Sequence, residues 1–135
     1  MTTIAAHVFQ IFYVSQLQPD SDIGVVKDIV AVSRRANPTR GITGALVFDG
    51  EHFGQLLEGH EADVVALMRR IAADPRHRRL TILFSGVTGA ARQTRVWRSG
   101  YCEGQQLDAF FADDSRRGPA ALAVFLAMLQ DADLV

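Results

Sequence analysis

The spacing of apolar and polar positions changes several times along the chain, and each change marks an element. Residues 8 to 15, VFQIFYVS, are aromatic and β-branched and end at the polar, Pro-containing SQLQPDSD, which predicts a first strand. From Ile23 to about Asn37, Val26, Ile29, Val30 and Ala36 recur at helical spacing, with Lys27, Asp28, Arg34 and Arg35 on the other faces. Asp20, Ser21 and Asp22 can cap that helix, and Pro38 ends it. Two alternating runs, 42 to 48 and 51 to 58, flank Asp49-Gly50, a dipeptide suited to closing a two-residue hairpin. Val64, Leu67, Met68 and Ile71 then predict a second helix over 61 to 73, stopped ahead of Pro75. LTILFSGVT (80 to 88) is a further strand, and TRVWRSGYCEG (94 to 104) a last one, weakened by Gly100. The order βαββαββ describes an α+β, ferredoxin-like arrangement, with both helices on one sheet face and the other face left open. The tail answers that exposure. Pro119 suits a first helical turn and AALAVFLAMLQ is apolar nearly all round, so the tail is expected to cover the open sheet face or a partner chain.

The hairpin raises a question about one amide. With Asp49 and Gly50 as the turn, Phe48 faces Glu51, Leu46 faces Phe53 and Gly44 faces Gln55, so no side chain stands opposite Gln55. Phe53, Gln55 and Leu57 share a face, and a buried amide there must find partners or cost about 1 to 3 kcal/mol.

Composition narrows the classes. The chain has 135 residues, 48% apolar and 21% charged, enough for one domain with a real core. A formal charge of -1, with basic residues in short pairs (Arg34-Arg35, Arg69-Arg70, Arg116-Arg117), argues against nucleic acid as a partner. Cys102 is the single cysteine, so an internal disulfide is excluded, and His7, His52, His60 and His77 show no metal-ligand spacing with it. The first residues lack a basic n-region and no apolar run is long enough to span a bilayer. A cytoplasmic protein without membrane attachment is the expectation.

Four candidate groups each have a plain account. Ile29, Ser33 and Asn37 follow one ridge of the first helix, where Asn37 could simply be a left-handed C-terminal residue. Arg70 and Asp74 could be a solvated i,i+4 pair, Tyr13 a core tyrosine beside Phe9 and Ile11, and Trp97 core or interface filler. There is no nucleophile elbow, phosphate loop or recognisable pair of carboxylates. Tyr13, Asn37, Gln55 and Arg70 nonetheless all aim at a gap between two helices and a sheet.

Together, IFYVS (11 to 15), SRRANPTRGITGALVFDG (33 to 50), FGQLLEG (53 to 59), ADPRHR (73 to 78) and VWRSGY (96 to 101) resemble, in this order, the BLUF family of blue-light sensors using flavin. The match covers roughly residues 8 to 103. It implies a sensor domain over 1 to 103 and a C-terminal helical extension over 104 to 135. It also implies a flavin, FAD with FMN as the alternative, held between the two helices. By position Tyr13 resembles the family's photoactive tyrosine and Gln55 its switching glutamine. Asn37 resembles the amide that holds the ring edge, and Ile29 and Ile71 the aliphatic pair that sandwiches the ring. Ser33, Arg70, Arg76 and His77 complete the implied binding set, with Trp97 and Ser99 as the implied signal relay and no metal.

Three positions depart from the family pattern: Ala36 replaces the first amide of an Asn-Asn pair, Gly54 a larger apolar residue, and Ser99 a methionine. The implied mechanism is loss of an electron and a proton from Tyr13 through Gln55 after blue-light excitation. Return of both leaves Gln55 rotated or tautomerised, which changes its hydrogen bonds and red-shifts the absorption. The short tail predicts no effector enzyme, so output is expected through contacts with a separate effector protein or another copy in a homo-oligomer. Two other classes stand beside this one. An acylphosphatase-like hydrolase would want an arginine-bearing anion loop after strand one, where SQLQPDSD has none. A non-photoactive ligand-binding or interaction module of the same fold is the other.

Overall fold

The computed structural model describes residues 7–88, 91–104, 106–112 and 117–135. Residues 1 to 6 and Arg116 of the third basic pair lie outside them. The first strand, β1 (Val8–Leu17), runs on past Val14-Ser15 and leads to helix α1 (Ile23–Ala36). Of the three candidate caps, Asp22 starts that helix, its carboxylate accepting from the backbone N–H of Gly24 at 2.9 Å and Val25 at 3.3 Å. A 3-10 turn (Pro38–Arg40) leads into β2 (Thr43–Phe48), which is followed by β3 (His52–Gly59) and α2 (Glu61–Ala73). Then come β4 (His77–Thr88), β5 (Trp97–Tyr101), a short α3 (Ala109–Ala112), α4 (Gly118–Leu129) and β6 (Asp133–Leu134). Among the described residues these strands form one sheet in the order β4-β1-β3-β2-β5-β6. The pairings are antiparallel except β2 with β5, giving the ferredoxin-like arrangement expected from the sequence.

The hairpin register differs from the expectation by two positions. Phe48 pairs with Phe53, Leu46 with Gln55 and Gly44 with Leu57. The cause is Asp49, whose carboxylate accepts from the backbone N–H of Glu51 at 3.1 Å and of His52 at 2.7 Å. Asp49 thereby joins the ladder, donating its N–H to the His52 carbonyl at 3.1 Å, and the turn becomes Gly50-Glu51 with Gly50 at φ 101°. Gln55 therefore has Leu46 beside it on one strand and Tyr13 on the other, not a vacancy. Gly44 serves a different purpose. At its φ of 143° a Cβ would lie 1.8 Å from the Leu56 carbonyl oxygen, and the Trp97 ring stands 3.3 Å away.

Period-two alternation sends the strands' side chains into two cores. One face carries Ile11, Tyr13, Leu46, Phe53, Gln55 and Leu57 toward Val26 and Val30 of α1 and Val64 and Met68 of α2. The opposite face carries Phe12, Val14, Val47 and Leu56 against Leu107, Phe110, Leu122 and Phe125. Phe12 stacks on Phe125 with ring centres 4.5 Å apart and meets Phe110 edge-on at 5.4 Å.

Two glycines read from the sequence only as irregularities are explained by this second layer. A Cβ on Gly54 would lie 2.9 Å from both Leu107 Cδ2 and Phe125 Cε1, so the small residue makes room for α4 and the segment before α3. A Cβ on Gly100 would lie 1.8 Å from the Asp133 carbonyl oxygen, so β6 can pair with β5 only across a glycine. Strand β5 is accordingly shorter than 94 to 104. Its approach is held outside the sheet by the buried Glu58 carboxylate, which accepts from the backbone N–H of Gln93 and Thr94 at 2.8 Å each.

Gly54→Leu, which restores a larger apolar residue, should force Leu107 and Phe125 aside and destabilise the fold by about 1–3 kcal/mol through overpacking. Urea unfolding of the two proteins measures this, and an unchanged midpoint would show that α4 does not need the space.

Candidate functional site

A cleft of about 240 Å³ opens between α1, α2 and the sheet. Its inner end is polar although it lies within a core. Tyr13, Gln55 and Asn37 are 3%, 4% and 2% exposed, so each polar tip depends on the few groups within reach. Gln55 donates one amide N–H to the Tyr13 phenol oxygen, and the pair spans adjacent strands in direct register. Gln55's carbonyl oxygen and second N–H, and the whole side-chain amide of Asn37, bond no other group among the described residues. Asn37 is not a left-handed terminator. It sits at φ -63° and ψ -43°, its carbonyl accepts from Arg40 and Ile42 N–H groups at 3.0 and 3.1 Å, and Gly41 at φ 68° makes the reversal. The backbone is thus anchored on both sides while the side chain is presented to the cleft.

The walls are aliphatic. Ile29 and Val32 of α1 face Leu67 and Ile71 of α2, with Phe53 and Leu46 on the sheet. Ala36 also lines the cleft, so the family's missing amide leaves a methyl there. Ser33 turns its hydroxyl back to the Val30 carbonyl at 2.9 Å and still borders the space.

The rim is charged. The expected Arg70–Asp74 pair does not form, because Asp74 is bound by Arg76, whose Nε and Nη2 donate to it at 3.0 and 2.7 Å. Asp74 also accepts the Arg76 backbone N–H at 2.9 Å, a local loop geometry that Arg70, one helical turn back, cannot match. Arg76 then reaches Asp28 of α1 at 3.1 Å, closing a bridge between the loop after α2 and the other helix. The Arg76 hydrogen bond holds the Asp74 carboxyl below its ordinary pKa, against a smaller opposing effect of burial. Arg70 and Arg40 line the cleft with no ion pair among the described residues. His77, at the start of β4, shares its ring nitrogens between Ser15 Oγ at 2.9 Å and the Ile71 carbonyl at 2.6 Å.

All nine residues named for cofactor binding, Tyr13, Ile29, Ser33, Asn37, Gln55, Arg70, Ile71, Arg76 and His77, therefore meet at one cleft. Leu46, Phe53, Leu67 and Arg40 also line it. Leu46 was hidden by the hairpin register, whereas Leu67 was visible at helical spacing beside Ile71. Trp97 and Ser99 are not in the lining. They lie on β5 facing the same core, with Ser99 opposite Leu46, which stands opposite Gln55. Ser99 is fully buried and its hydroxyl accepts from Arg34 Nη2 at 2.8 Å, while the Trp97 indole N–H is buried without a partner among the described residues. No cluster of three or more His, Cys, Asp or Glu suited to a metal occurs among the described residues.

Burial pushes the Tyr13 phenol well above its ordinary pKa, the Gln55 hydrogen bond offsets part of that, and Asp74 adds to it. The folded state therefore retains a proton that the unfolded chain releases above about pH 10. That contribution to stability is fully present below the unfolded pKa and is lost as pH rises through the folded one. Urea midpoints followed from about pH 9 to about pH 11 should fall more steeply in the wild type than in Tyr13→Phe. Parallel curves would show that Tyr13 is not held as a neutral phenol.

Comparison with known proteins agrees with this geometry. Residues 8–100 match the model of the family described as BLUF, sensors of blue-light using FAD. The blue light- and temperature-regulated antirepressor BluF of Escherichia coli strain K12 is 35% identical over 82 residues, covering 61% of this chain and 20% of that protein. The dark-state structure of BlrB, a BLUF protein, superposes with a TM-score of 0.64 at 28% identity, over 84% of this chain and 85% of that one. Klebsiella pneumoniae BlrP1, solved with FMN and cyclic diGMP, gives a TM-score of 0.64 at 26% identity, over 81% of this chain and 36% of that one. With the ferredoxin-like sheet, the cleft between its helices and a family match over most of its length, this chain belongs to the BLUF family of flavin-using blue-light sensors.

Proposed function

We propose that this chain is a blue-light photoreceptor whose switch is the Tyr13–Gln55 pair, read out by a separate protein. The observation that carries the proposal is the inner end of the cleft, where Gln55 bonds Tyr13 while its other amide atoms and the Asn37 side-chain amide have no partner among the described residues. These amide atoms face the cleft with hydrogen-bonding capacity to spare, so the cleft is suited to a ligand with a polar, hydrogen-bonding edge. The rest fits a flavin. Ile29 and Ile71 offer flat aliphatic walls, and Arg70 and Arg40 offer unpaired cations at the rim for a phosphate.

When bound, a flavin supplies absorption of blue light and an electron acceptor next to Tyr13. The chain supplies the rest. Tyr13, kept neutral by burial, holds a proton as well as an electron-rich ring. It would give up both to the bound ring and regain both, so no net chemistry would remain. Because Gln55 presents an N–H to the phenol oxygen, the phenolic proton could pass by way of this side chain only through its carbonyl oxygen, after the amide turns. What differs afterwards is which edge of the Gln55 amide faces Tyr13, because an amide has a donor end and an acceptor end. Asn37 holds its place, being fixed through its backbone on both sides. Ser33, Arg76 and His77 shape the rim. The Arg76–Asp28 bridge ties the loop after α2 to α1 at the mouth of the cleft.

Output follows the sheet. Gln55 abuts Leu46, Leu46 abuts Ser99, and Ser99 is held by Arg34, so rotation of the amide changes the packing of β5. We take residues 1 to 103 as the sensor and 104 to 135 as its extension on the other sheet face, with a contact to an effector protein or a second copy carrying the signal. The antirepressor and cyclase relatives couple such units to other activities, as their names state, and this chain spans 20% and 6% of those proteins.

Gln55→Leu is close in volume and removes both donor and acceptor. Purified in the dark, it should bind flavin, show a small dark shift in absorption and give no lasting red-shift after blue light. An unaltered red-shift would remove Gln55 from the switch.

A further inference from the structure

On the sheet face away from the cleft, a groove of about 470 Å³ runs between β5 with its approach and α4. Its apolar residues are Ala45 of β2, Leu126 and Leu129 of α4, Leu134 of β6 and Val96, which is 59% exposed. Arg95 and Arg98 stand on its β5 side, both exposed and neither hydrogen-bonded nor ion-paired among the described residues. No carboxylate is among the described residues that line it. In a chain whose formal charge is -1, two free guanidiniums beside a floor of half-buried leucines are a local departure from the overall balance.

The groove's basic side is held in place. Glu58, fully buried, accepts from Gln93 N, Thr94 N and Thr94 Oγ1, each at 2.8 Å. Arg92 adds bonds to the Gly41 carbonyl at 2.7 Å and Thr43 Oγ1 at 3.0 Å. Five hydrogen bonds thus hold residues 92–94, the approach that leads into Arg95 and Val96.

We propose that this groove docks an acidic, amphipathic helical segment of a partner protein. Its apolar side would cover Leu126, Leu129 and Leu134, and its carboxylates would pair with Arg95 and Arg98. Charge complementarity selects this occupant. No aromatic side chain lines the groove for bases to stack on, which disfavours single-stranded nucleic acid. The location adds a route for regulation. Arg98 lies opposite Ala45 and projects to this face, whereas its neighbours Trp97 and Ser99 project to the cleft face, so one short strand borders both sites. Only that regulation rests on the photoreceptor reading; the docking surface stands without it.

The test is selection of a random peptide library displayed on phage against the flavin-loaded full chain, followed by affinity measurement of the enriched peptides on Arg95→Glu/Arg98→Glu. Enriched peptides should combine Asp or Glu with apolar residues at helical spacing. They should lose affinity on added salt and bind the double variant at least about tenfold more weakly. The double variant should keep its flavin spectrum and light-induced red-shift, so a failure of photochemistry is seen separately from a failure of docking. If charge reversal impairs folding, Arg95→Gln/Arg98→Gln replaces it and should weaken binding in the same direction. Four results overturn the proposal: no enrichment, enrichment of neutral or basic peptides, equal binding to the variant, or wild-type self-association in sedimentation that the variant abolishes. The last would make the groove an interface between copies.

Discussion

The hydrogen bond from the Gln55 amide to the Tyr13 phenol is the contact around which the cleft is arranged. It places two polar side chains on adjacent inner strands of the sheet, β1 and β3, both almost fully buried. Each group can meet the other with only part of its bonding capacity, and the remainder is aimed at the space between α1 and α2. Aliphatic residues from both helices wall that space while Asn37 closes its end. A purely apolar pair at 13 and 55 would pack the same sheet against the same helices. The polar pair instead leaves donor and acceptor capacity facing the cleft, which suits a ligand with a polar edge.

The sheet also explains why the extension belongs to the architecture. Every strand that lends one residue to the cleft lends the next to the opposite core, so Tyr13 and Gln55 alternate with Phe12, Val14, Gly54 and Leu56. Gly54 is small because Leu107 and Phe125 occupy the volume its side chain would need, and Gly100 because β6 passes directly over it. Movement at Gln55 is therefore bordered by Leu46 and then Ser99 along the sheet. Ser99 bonds Val135 through both its backbone groups, at 3.2 and 2.9 Å, so the terminal strand is attached at the residue where the cleft-facing row ends.

Much of this was legible in the amino-acid sequence. Both amphipathic helices, the succession of the first five strands along the chain and the convergence of Tyr13, Asn37, Gln55 and Arg70 follow from periodicity and turn chemistry, since those depend on neighbours a few residues apart. The hairpin register did not follow, because Asp49 has two local options. It can be a central turn residue, or it can bind two backbone N–H groups and leave the turn to Gly50-Glu51; Leu107, far along the chain, adds a third N–H at 3.0 Å that favours the second. The partner of Asp74 was missed for the same kind of reason. Spacing placed Arg70 within reach, but Arg76 offers a chelate from the adjacent loop and a second carboxylate on α1. The role of Glu58 in holding residues 93 and 94 is a contact between distant segments that no spacing rule reports.

The central claim, that light changes the hydrogen bonding of one buried glutamine amide beside Tyr13, is tested most directly by infrared difference spectroscopy. Light-minus-dark spectra of the flavin-loaded protein would be recorded with unlabelled glutamine and with side-chain 15N-labelled glutamine. The account predicts difference bands that shift with the label, appear on illumination, decay with the visible red-shift and vanish in Gln55→Leu. A full red-shift with no label-sensitive band would contradict it.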